Sequence, residues 1–105
     1  MKNIILMGGT GGIGTELHKL LEKKYNVYSV GSALDVTDFG ALQRWFHVNN
    51  YDIVINLSGY NYDNMLHKYD EDSIYEAEKQ LKINSLGNVN LLSTILPGMR
   101  QRKYG

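Results

Sequence analysis

The chain has 105 residues, of which 43% are hydrophobic and 21% charged, the composition of a globular domain rather than of a disordered segment. Eleven basic residues balance eleven acidic ones, so no net field attracts nucleic acid or a membrane, and neither is expected as a partner. No cysteine is present and the three histidines are widely spaced, which argues against disulfides and against a metal site. No apolar run is long enough for a membrane span or a secretory signal, so the cytoplasm is the expected location.

Short apolar runs alternate with helical patterns along the chain. Strands are predicted for the apolar runs at 3–7, 27–30, 52–56 and, as a very short candidate, 34–36. Helices are predicted from near Gly12, from the caps Thr37 or Asp38, and from the acidic run 70–73 towards Pro97. The alternation indicates βαβ units and hence an α/β fold, a Rossmann-type parallel sheet of order 3-2-1-4 with helices on both faces. Residues 1–105 are assigned to a single partial domain.

A glycine-rich segment lies between the first predicted strand and the first predicted helix. Gly9, Gly11 and Gly14 fit the dinucleotide fingerprint G-x-G-x-x-G in its required context. Glycine allows a turn with positive φ, close approach of backbone N–H groups to a pyrophosphate, and tight packing of helix on strand. Thr15 follows Gly14 directly, which excludes the G-K-[ST] ending of a P-loop. The sequence therefore predicts dinucleotide binding by Gly8, Gly9, Thr10, Gly11, Gly12, Ile13 and Gly14. A glycine-rich turn without a ligand is the alternative.

With these features the chain resembles, over its whole length, the short-chain dehydrogenase/reductase family. The glycine motif of that family takes the form GxxxGxG, which Gly8, Gly12 and Gly14 fit, or GxxGxxG, which Gly11 completes. Met7 stands where the family usually has threonine, and this departure removes one hydrogen bond that braces the loop. The resemblance implies a nicotinamide dinucleotide cofactor, NAD or NADP, and hydride transfer to or from a carbonyl or alcohol of a small-molecule substrate.

The segment after the second predicted strand corresponds to the adenosine half of the cofactor. Ser32 lies about 20 residues past the glycines, at the ribose position of such folds. Its hydroxyl replaces both the acidic residue that favours NAD and the arginine that favours NADP, and it can hydrogen-bond a phosphate, which gives NADP a slight preference. Ser32 as a simple turn residue is the alternative. Asp35 and Val36 resemble the family's pair that contacts the adenine ring.

Two later motifs correspond to the nicotinamide half and to the catalytic group. The tetrapeptide after the fourth predicted strand resembles the family's NNAG motif beside the cofactor and consists of Asn56, Leu57, Ser58 and Gly59. A simple strand-ending turn is the alternative. The run 82–84 matches the long-helix segment whose asparagine joins the family's catalytic tetrad, which assigns a catalytic role to Asn84. The alternative is a mid-helix polar residue that bonds back to the preceding turn.

In the family a fifth strand follows, with a catalytic serine and then Tyr-x-x-x-Lys. The tyrosine is the general acid/base, the lysine lowers its pKa, and the serine polarises the substrate oxygen. The chain stops at Gly105 without a counterpart of these groups, so we expect the cofactor-binding half of an oxidoreductase that is inactive alone. Tyr75 and Lys79 have the right spacing but precede Asn84, and we interpret them as a solvated i, i+4 surface pair.

Two other functions and one assembly are consistent with the same sequence. A Rossmann module that senses nucleotides without catalysis is the first alternative, and a truncated product without a function of its own is the second. Tyr60 and Tyr62 either line a substrate cleft or are partly buried loop aromatics.

We expect a homodimer, because the fourth predicted strand becomes an exposed edge and the long helix carries an apolar patch. The helix residues concerned are Leu86, Val89, Leu92 and Ile95.

Overall fold

The computed structural model describes residues Met1–Gly105. Three short apolar segments form strands and four longer amphipathic segments form helices. In chain order the elements are β1 (Asn3–Met7), α1 (Gly12–Leu21), β2 (Asn26–Val30), α2 (Phe39–Val48), β3 (Ile53–Asn56), a 3-10 turn (Leu66–Lys68), α3 (Glu71–Leu81), a π-helical segment (Lys82–Leu86) and α4 (Gly87–Arg102). No helix has both the length and the apolar character needed to cross a membrane.

The sheet is parallel, with β1 between β2 and β3. Ile4 to Met7 are almost completely buried because β1 has a strand on each side and helices on each face. On one face, Ile5 and Met7 pack with residues of α2 and α4; the complete buried cluster there is Ile5, Met7, Leu34, Val36, Leu42, Tyr51 and Leu91. On the other face, His18 of α1 hydrogen-bonds through Nδ1 with Ser29 Oγ of β2 at 2.6 Å. The predicted α/β Rossmann-type fold is confirmed.

The predicted third strand at 34–36 is wrong, and the sheet has three strands rather than four. The segment forms turns in which the N–H of Leu34 donates to the carbonyl of Gly31 at 3.2 Å. The carbonyl of Val36 accepts from Asn90 Nδ2 of α4 at 3.0 Å. Turn and helix contacts therefore occupy the backbone groups that a ladder beside β2 would use. The three strands that do form keep the order expected for them, β2-β1-β3.

The long helix differs from the prediction in its course past Pro97, which lies inside α4 instead of at its end. Proline removes one bond from the helical ladder, yet the helix continues for five residues to Arg102. The Arg102 guanidinium donates to Asn50 Oδ1 at 3.2 Å and to the carbonyl of Tyr51 at 3.5 Å. These bonds hold the last turn, and Lys103 then ends it with a left-handed φ of 56°.

Aspartates cap the N-termini of α2 and α3. Asp38 Oδ1 accepts from the N–H of Ala41 at 3.0 Å, which settles the predicted choice between two caps for α2. Asp70 Oδ1 accepts from the N–H of Ser73 at 2.9 Å and from its Oγ at 3.0 Å. These bonds stabilise the carboxylate and lower the pKa of Asp70 below its ordinary value.

Candidate functional site

The glycine-rich segment connects the buried end of β1 to the start of α1. Gly8 turns the chain with a φ of +71°. The N–H of Gly9 then donates to the carbonyl of Val30 in β2 at 3.0 Å. Gly11 is the N-cap of α1 and has no capping side chain. The first N–H groups of α1 therefore lie at the carboxyl edge of the sheet, where helix N-termini bind phosphate groups.

Some of these glycines are required by the protein's own packing. A Cβ on Gly14 would lie 2.5 Å from Gly9 Cα, and a Cβ on Gly9 would lie 2.7 Å from Leu6 Cβ. A Cβ on Gly8 would lie 2.8 Å from the backbone nitrogen of Ser58 at the end of β3. These three positions bring loop, helix and strand ends closer together than any side chain would permit.

Gly11 and Gly12 are different, because no close contact within the protein requires glycine there. A Cβ on Gly11 would meet only the Gly8 carbonyl oxygen, at 3.8 Å, and a Cβ on Gly12 would have nothing within 4 Å. A glycine-rich turn without a ligand leaves this pair unexplained. An open surface at the start of a helix is the form that a pyrophosphate site requires.

A cavity of about 410 Å³ lies where the glycine-rich segment meets the carboxyl ends of the strands. Its lining combines residues from the ends of all three strands with the turn at 31–36 and the π-helical segment. The lining residues are Gly8, Thr10, Gly11, Gly31, Ser32, Leu34, Asp35, Val36, Leu57, Ser58, Gly59 and Ile83. Nine of the residues predicted to bind cofactor are among them. The fold thus brings the three predicted motifs to one cavity.

Five other predicted residues do not line the cavity. Gly9 and Gly14 are buried in the contact between loop and helix. Gly12 and Ile13 lie at the start of α1, where the side chain of Ile13 is 77% exposed. Asn56 braces the neighbouring turn instead, because its Oδ1 accepts from the N–H of Ser58 at 3.0 Å and its Nδ2 donates to an asparagine of α4 at 2.6 Å.

Three lining residues are absent from the sequence-based prediction. Gly31 precedes Ser32, and a Cβ there would lie 2.6 Å from Thr10 Oγ1. Leu34 was assigned to a strand that does not form. Ile83 comes from the π-helical segment and directly precedes Asn84. Only a comparison with the motif around Asn84 could have suggested Ile83, because a lone apolar residue in a helix normally indicates core packing.

The cavity contains one titratable side chain, Asp35. Its Oδ1 accepts from the N–H of Thr37 at 2.9 Å and from Thr37 Oγ1 at 2.8 Å. These bonds fix the carboxylate beside Val36 at one end of the cavity. Lysine and arginine are absent from the lining, so this end offers a carboxylate and hydroxyl groups rather than cations.

Asn84 lies in the middle of the π-helical segment and reaches across to the loop after β3. Its Oδ1 accepts from the N–H of Tyr60 at 2.8 Å, and its Nδ2 donates to the carbonyl of Tyr60 at 2.7 Å. The alternative in which this side chain bonds back to the preceding turn is therefore wrong. Short π-helical insertions are frequent at functional sites, and this one places Asn84 beside Gly59, whose Cβ would lie 3.5 Å from Asn84 Oδ1.

Tyr75 and Lys79 border a second cavity of about 170 Å³ on the far side of Asp35. This cavity shares Asp35 and Ile83 with the larger one but none of the glycines. The side chain of Tyr75 is 66% exposed, and Lys79 Nζ lies 4.4 Å from the ring centroid of Tyr60. The pair is thus separated from the glycine-rich segment, as expected for surface residues.

Comparison with known proteins places the chain in a family. The model of the NAD dependent epimerase/dehydratase family matches residues 4–102. Among solved structures, the chain is similar to serine dehydrogenase from Escherichia coli, with 18% identity and a TM-score of 0.79 over 98% of this chain and 58% of that one. It is also similar to a small-chain dehydrogenase in complex with NADPH, with 25% identity and a TM-score of 0.74 over 94% of this chain and 45% of that one. No curated protein matches it.

A third similar structure is dTDP-4-dehydrorhamnose reductase from Bacillus anthracis str. Ames in complex with NADP, with 22% identity and a TM-score of 0.69 over 87% of this chain and 31% of that one. The chain therefore spans between 31% and 58% of the length of these structures. The predicted resemblance to short-chain dehydrogenases is confirmed, and the expected cofactor, NAD or NADP, agrees with the matched family and with the NADPH and NADP bound in two of these structures. The chain belongs to the NAD-dependent epimerase/dehydratase family.

Proposed function

We propose that this chain is the cofactor-binding part of an NAD(P)-dependent oxidoreductase of short-chain dehydrogenase type, which transfers hydride between the nicotinamide and a carbonyl or alcohol. The observation that carries the proposal is the cavity of about 410 Å³ between the glycine-rich segment and the ends of the three parallel strands. In open α/β sheets, ligands bind in the crevice at this edge.

The lining suggests which residues hold each part of the dinucleotide. The pyrophosphate would lie against Gly11 and Gly12, where the helix N-terminus is open. The adenosine would lie towards Ser32, Asp35 and Val36, and the nicotinamide half towards 57–59, because the first group follows β2 and the second follows β3, on opposite sides of β1. When bound, the cofactor supplies the hydride chemistry, and the residues of this chain bind and orient it.

The preference between NAD and NADP is a separate proposal. A 2′-phosphate is normally paired with a basic side chain, and the cavity lining contains none. On the side of the cavity that follows β2, the hydroxyl groups of Ser32 and Thr10 are the side-chain donors for such a phosphate. The slight preference for NADP therefore depends on these hydroxyl groups alone.

We also propose the catalytic role of Asn84 from the family motif. Within this chain, the two bonds from its side chain to the backbone of Tyr60 hold the turn after β3. Residues 1–105 bring no tyrosine and no lysine to the lining of this cavity, and its two serines, Ser32 and Ser58, follow β2 and β3 and precede Asn84 in the chain. We therefore expect these residues by themselves to bind cofactor without turnover.

Calorimetric titration and thermal unfolding with NADH and NADPH test this function. A ligand at 100 times its Kd stabilises a protein by about 2.7 kcal/mol, so Tm should rise on the order of 10 °C. Turnover is measured from the absorbance of the reduced nicotinamide cofactor in the presence of a panel of ketones and alcohols. We expect none in the wild type and none in Tyr75→Phe. Turnover that disappears in Tyr75→Phe would assign catalysis to that residue, and an unchanged Tm with both cofactors would contradict the proposal.

A nucleotide-sensing module would also bind without turnover. The two functions differ in the longer reading frame: a serine followed by Tyr-x-x-x-Lys beyond position 105 supports the oxidoreductase, and their absence supports the sensor. A chain that unfolds without a cooperative transition, with or without ligand, would instead support a truncated product. The cytoplasmic location stays a prediction.

We further propose that the chain forms a homodimer. Within these residues β3 pairs only with β1, so its other edge is open. Of the predicted helix patch, Leu86, Val89 and Leu92 are 55%, 57% and 49% exposed, whereas Ile95 packs against the core. Both surfaces are available for a two-fold contact.

Light scattering at high concentration should give the mass of a dimer. If the helix patch forms the interface, replacing Val89 and Leu92 together by lysine should give a monomer, because burial of a charge opposes association. If the edge of β3 forms it, this variant should remain a dimer. Leu20→Lys on α1 is the control, since Leu20 is also largely exposed but lies on another helix. A wild-type chain that stays monomeric contradicts the proposal.

A further inference from the structure

The loop after β3 makes several hydrogen bonds to α3. We call residues 60–69 the tyrosine loop. It begins directly after Gly59, which lines the cavity of about 410 Å³. The hydroxyl of Tyr60 donates to Glu76 Oε2 of α3, and Lys79 Nζ lies 4.4 Å from the centre of the Tyr60 ring. The bond to Glu76 raises the pKa of Tyr60 above its ordinary value, so the hydroxyl stays protonated and can donate throughout the neutral range.

A second tyrosine of the loop is bound to the same helix. The N–H of Tyr62 donates to Gln80 Oε1 at 2.7 Å. The hydroxyl of Tyr62 lies 3.0 Å from Ser73 Oγ, and Ser73 is only 3% exposed. Because Ser73 donates its own proton to Asp70, Tyr62 is the donor in this bond.

The partners on α3 recur at a helical spacing. Ser73, Glu76 and Gln80 stand at i, i+3 and i+7, and residues at these separations share one face of a helix. Each contributes an oxygen acceptor to the tyrosine loop. One polar face of α3 therefore holds the tyrosine loop through hydrogen bonds.

We propose that Glu76 and Gln80 are positioning residues for the nicotinamide half of the cofactor, acting through the tyrosine loop on Gly59. The proposal depends on the function proposed above. Tyr60 is bound from two sides. Its side chain donates to Glu76 of α3, and its backbone N–H and carbonyl pair with the side chain of Asn84. Release of the side chain leaves the Tyr60 peptide beside Gly59 held by Asn84 alone, and Gly59 borders the cavity after the end of β3.

The adenosine end of the cavity has no such dependence. Asp35 is fixed by Thr37, and Val36 is fixed by Asn90 of α4. Neither contact involves the tyrosine loop. Loss of the support on α3 should therefore weaken the binding of a complete dinucleotide and leave the binding of an adenosine diphosphate nearly unchanged.

Titration calorimetry with NADH and with ADP tests this difference. Glu76→Ala and Tyr60→Phe each remove the Tyr60–Glu76 bond, and the double variant Glu76→Ala/Gln80→Ala also removes the bond to Tyr62. For the double variant we expect the Kd of NADH to rise about tenfold, which is about 1.4 kcal/mol. The Kd of ADP should change less than twofold. Glu76→Gln retains an acceptor and should recover most of the affinity for NADH.

Glu71→Ala is the matched control, because Glu71 is exposed on α3 and makes no bond to the tyrosine loop. Equal losses for NADH and ADP, or no loss for either, would overturn the proposal, since a support of the fold alone predicts one of these. Tyr60→Phe removes a single atom and keeps the test available if the alanine variants fail to fold. A wild type that binds neither ligand would instead contradict the proposed function itself.

Discussion

Gly14→Val is expected to abolish cofactor binding and to destabilise the fold by about 3 kcal/mol, at the upper end of typical overpacking costs. The new Cβ would lie 2.5 Å from Gly9 Cα and from the Gly9 carbonyl oxygen. Both are backbone atoms of the loop, so no flexible side chain can move aside. Either α1 or the loop must shift, and the N–H groups at the start of α1 then move away from the carboxyl edge of the sheet, where we propose that the pyrophosphate lies.

Thermal unfolding and titration with NADH measure both effects. For a domain of this size the loss corresponds to a fall in Tm on the order of 15 °C. Gly12→Ala is the control, because a Cβ at that position has no protein atom within 4 Å; its Tm should stay near that of the wild type. A folded Gly14→Val variant with unchanged affinity for NADH would falsify the assignment of this segment to the pyrophosphate.

Gly8→Ala should destabilise the protein by roughly 2–4 kcal/mol, because two costs act at one position. The φ of Gly8 is +71°, a conformation that disfavours any residue with a Cβ. The same Cβ would lie 2.8 Å from the nitrogen of Ser58 and 3.0 Å from the carbonyl carbon of Leu57. The substitution therefore pushes the end of β3 away from the end of β1, and the cavity opens between them.

Gly11→Ala separates stability from binding in the same loop. Its Cβ would meet only the Gly8 carbonyl oxygen, at an ordinary contact distance of 3.8 Å. We expect only a small fall in Tm, because alanine is a poorer N-cap than glycine, with a reduced affinity for NADH, because Gly11 lines the cavity. Equal Tm values for Gly8→Ala and Gly11→Ala would show that the left-handed turn at Gly8 is not required.

The sequence predicts the parts of this fold that depend on local patterns. The strand β1 and the start of α1 follow from an apolar run, a cluster of glycines and a helical repeat, all within about 20 residues. The segment 34–36 has a similar apolar character, but its structure depends on α4, far along the chain. Asn90 binds the carbonyl of Val36, and a Cβ on Gly87 would lie 2.6 Å from Val36 Cγ2. Local propensity contains no information about such a contact.

In the candidate site too, the sequence predicts local motifs but not the contacts between distant segments. Motifs predict Asn84 and the turn at 56–59 individually, but not that the side chain of Asn84 would pair with the backbone of Tyr60. The polar face of α3 is visible in the sequence as a spacing of three and four residues. Its partner is the tyrosine loop, whose only regular element is the 3-10 turn at Leu66–Lys68, and a repeat in one element does not identify what that element binds.

The central position of β1 has a consequence for the motions of the site. Backbone amides of a strand that is paired on both sides and almost fully buried exchange with solvent only through global unfolding. The glycine-rich segment starts at the end of this strand, whereas the tyrosine loop starts at the end of β3, which is at the edge of the sheet. Local opening of the edge can thus occur while β1 stays folded. We therefore expect the end of the cavity beside the glycine-rich segment, where we propose that the pyrophosphate binds, to be preorganised before any ligand arrives, whereas the end beside the tyrosine loop can adapt to what it binds.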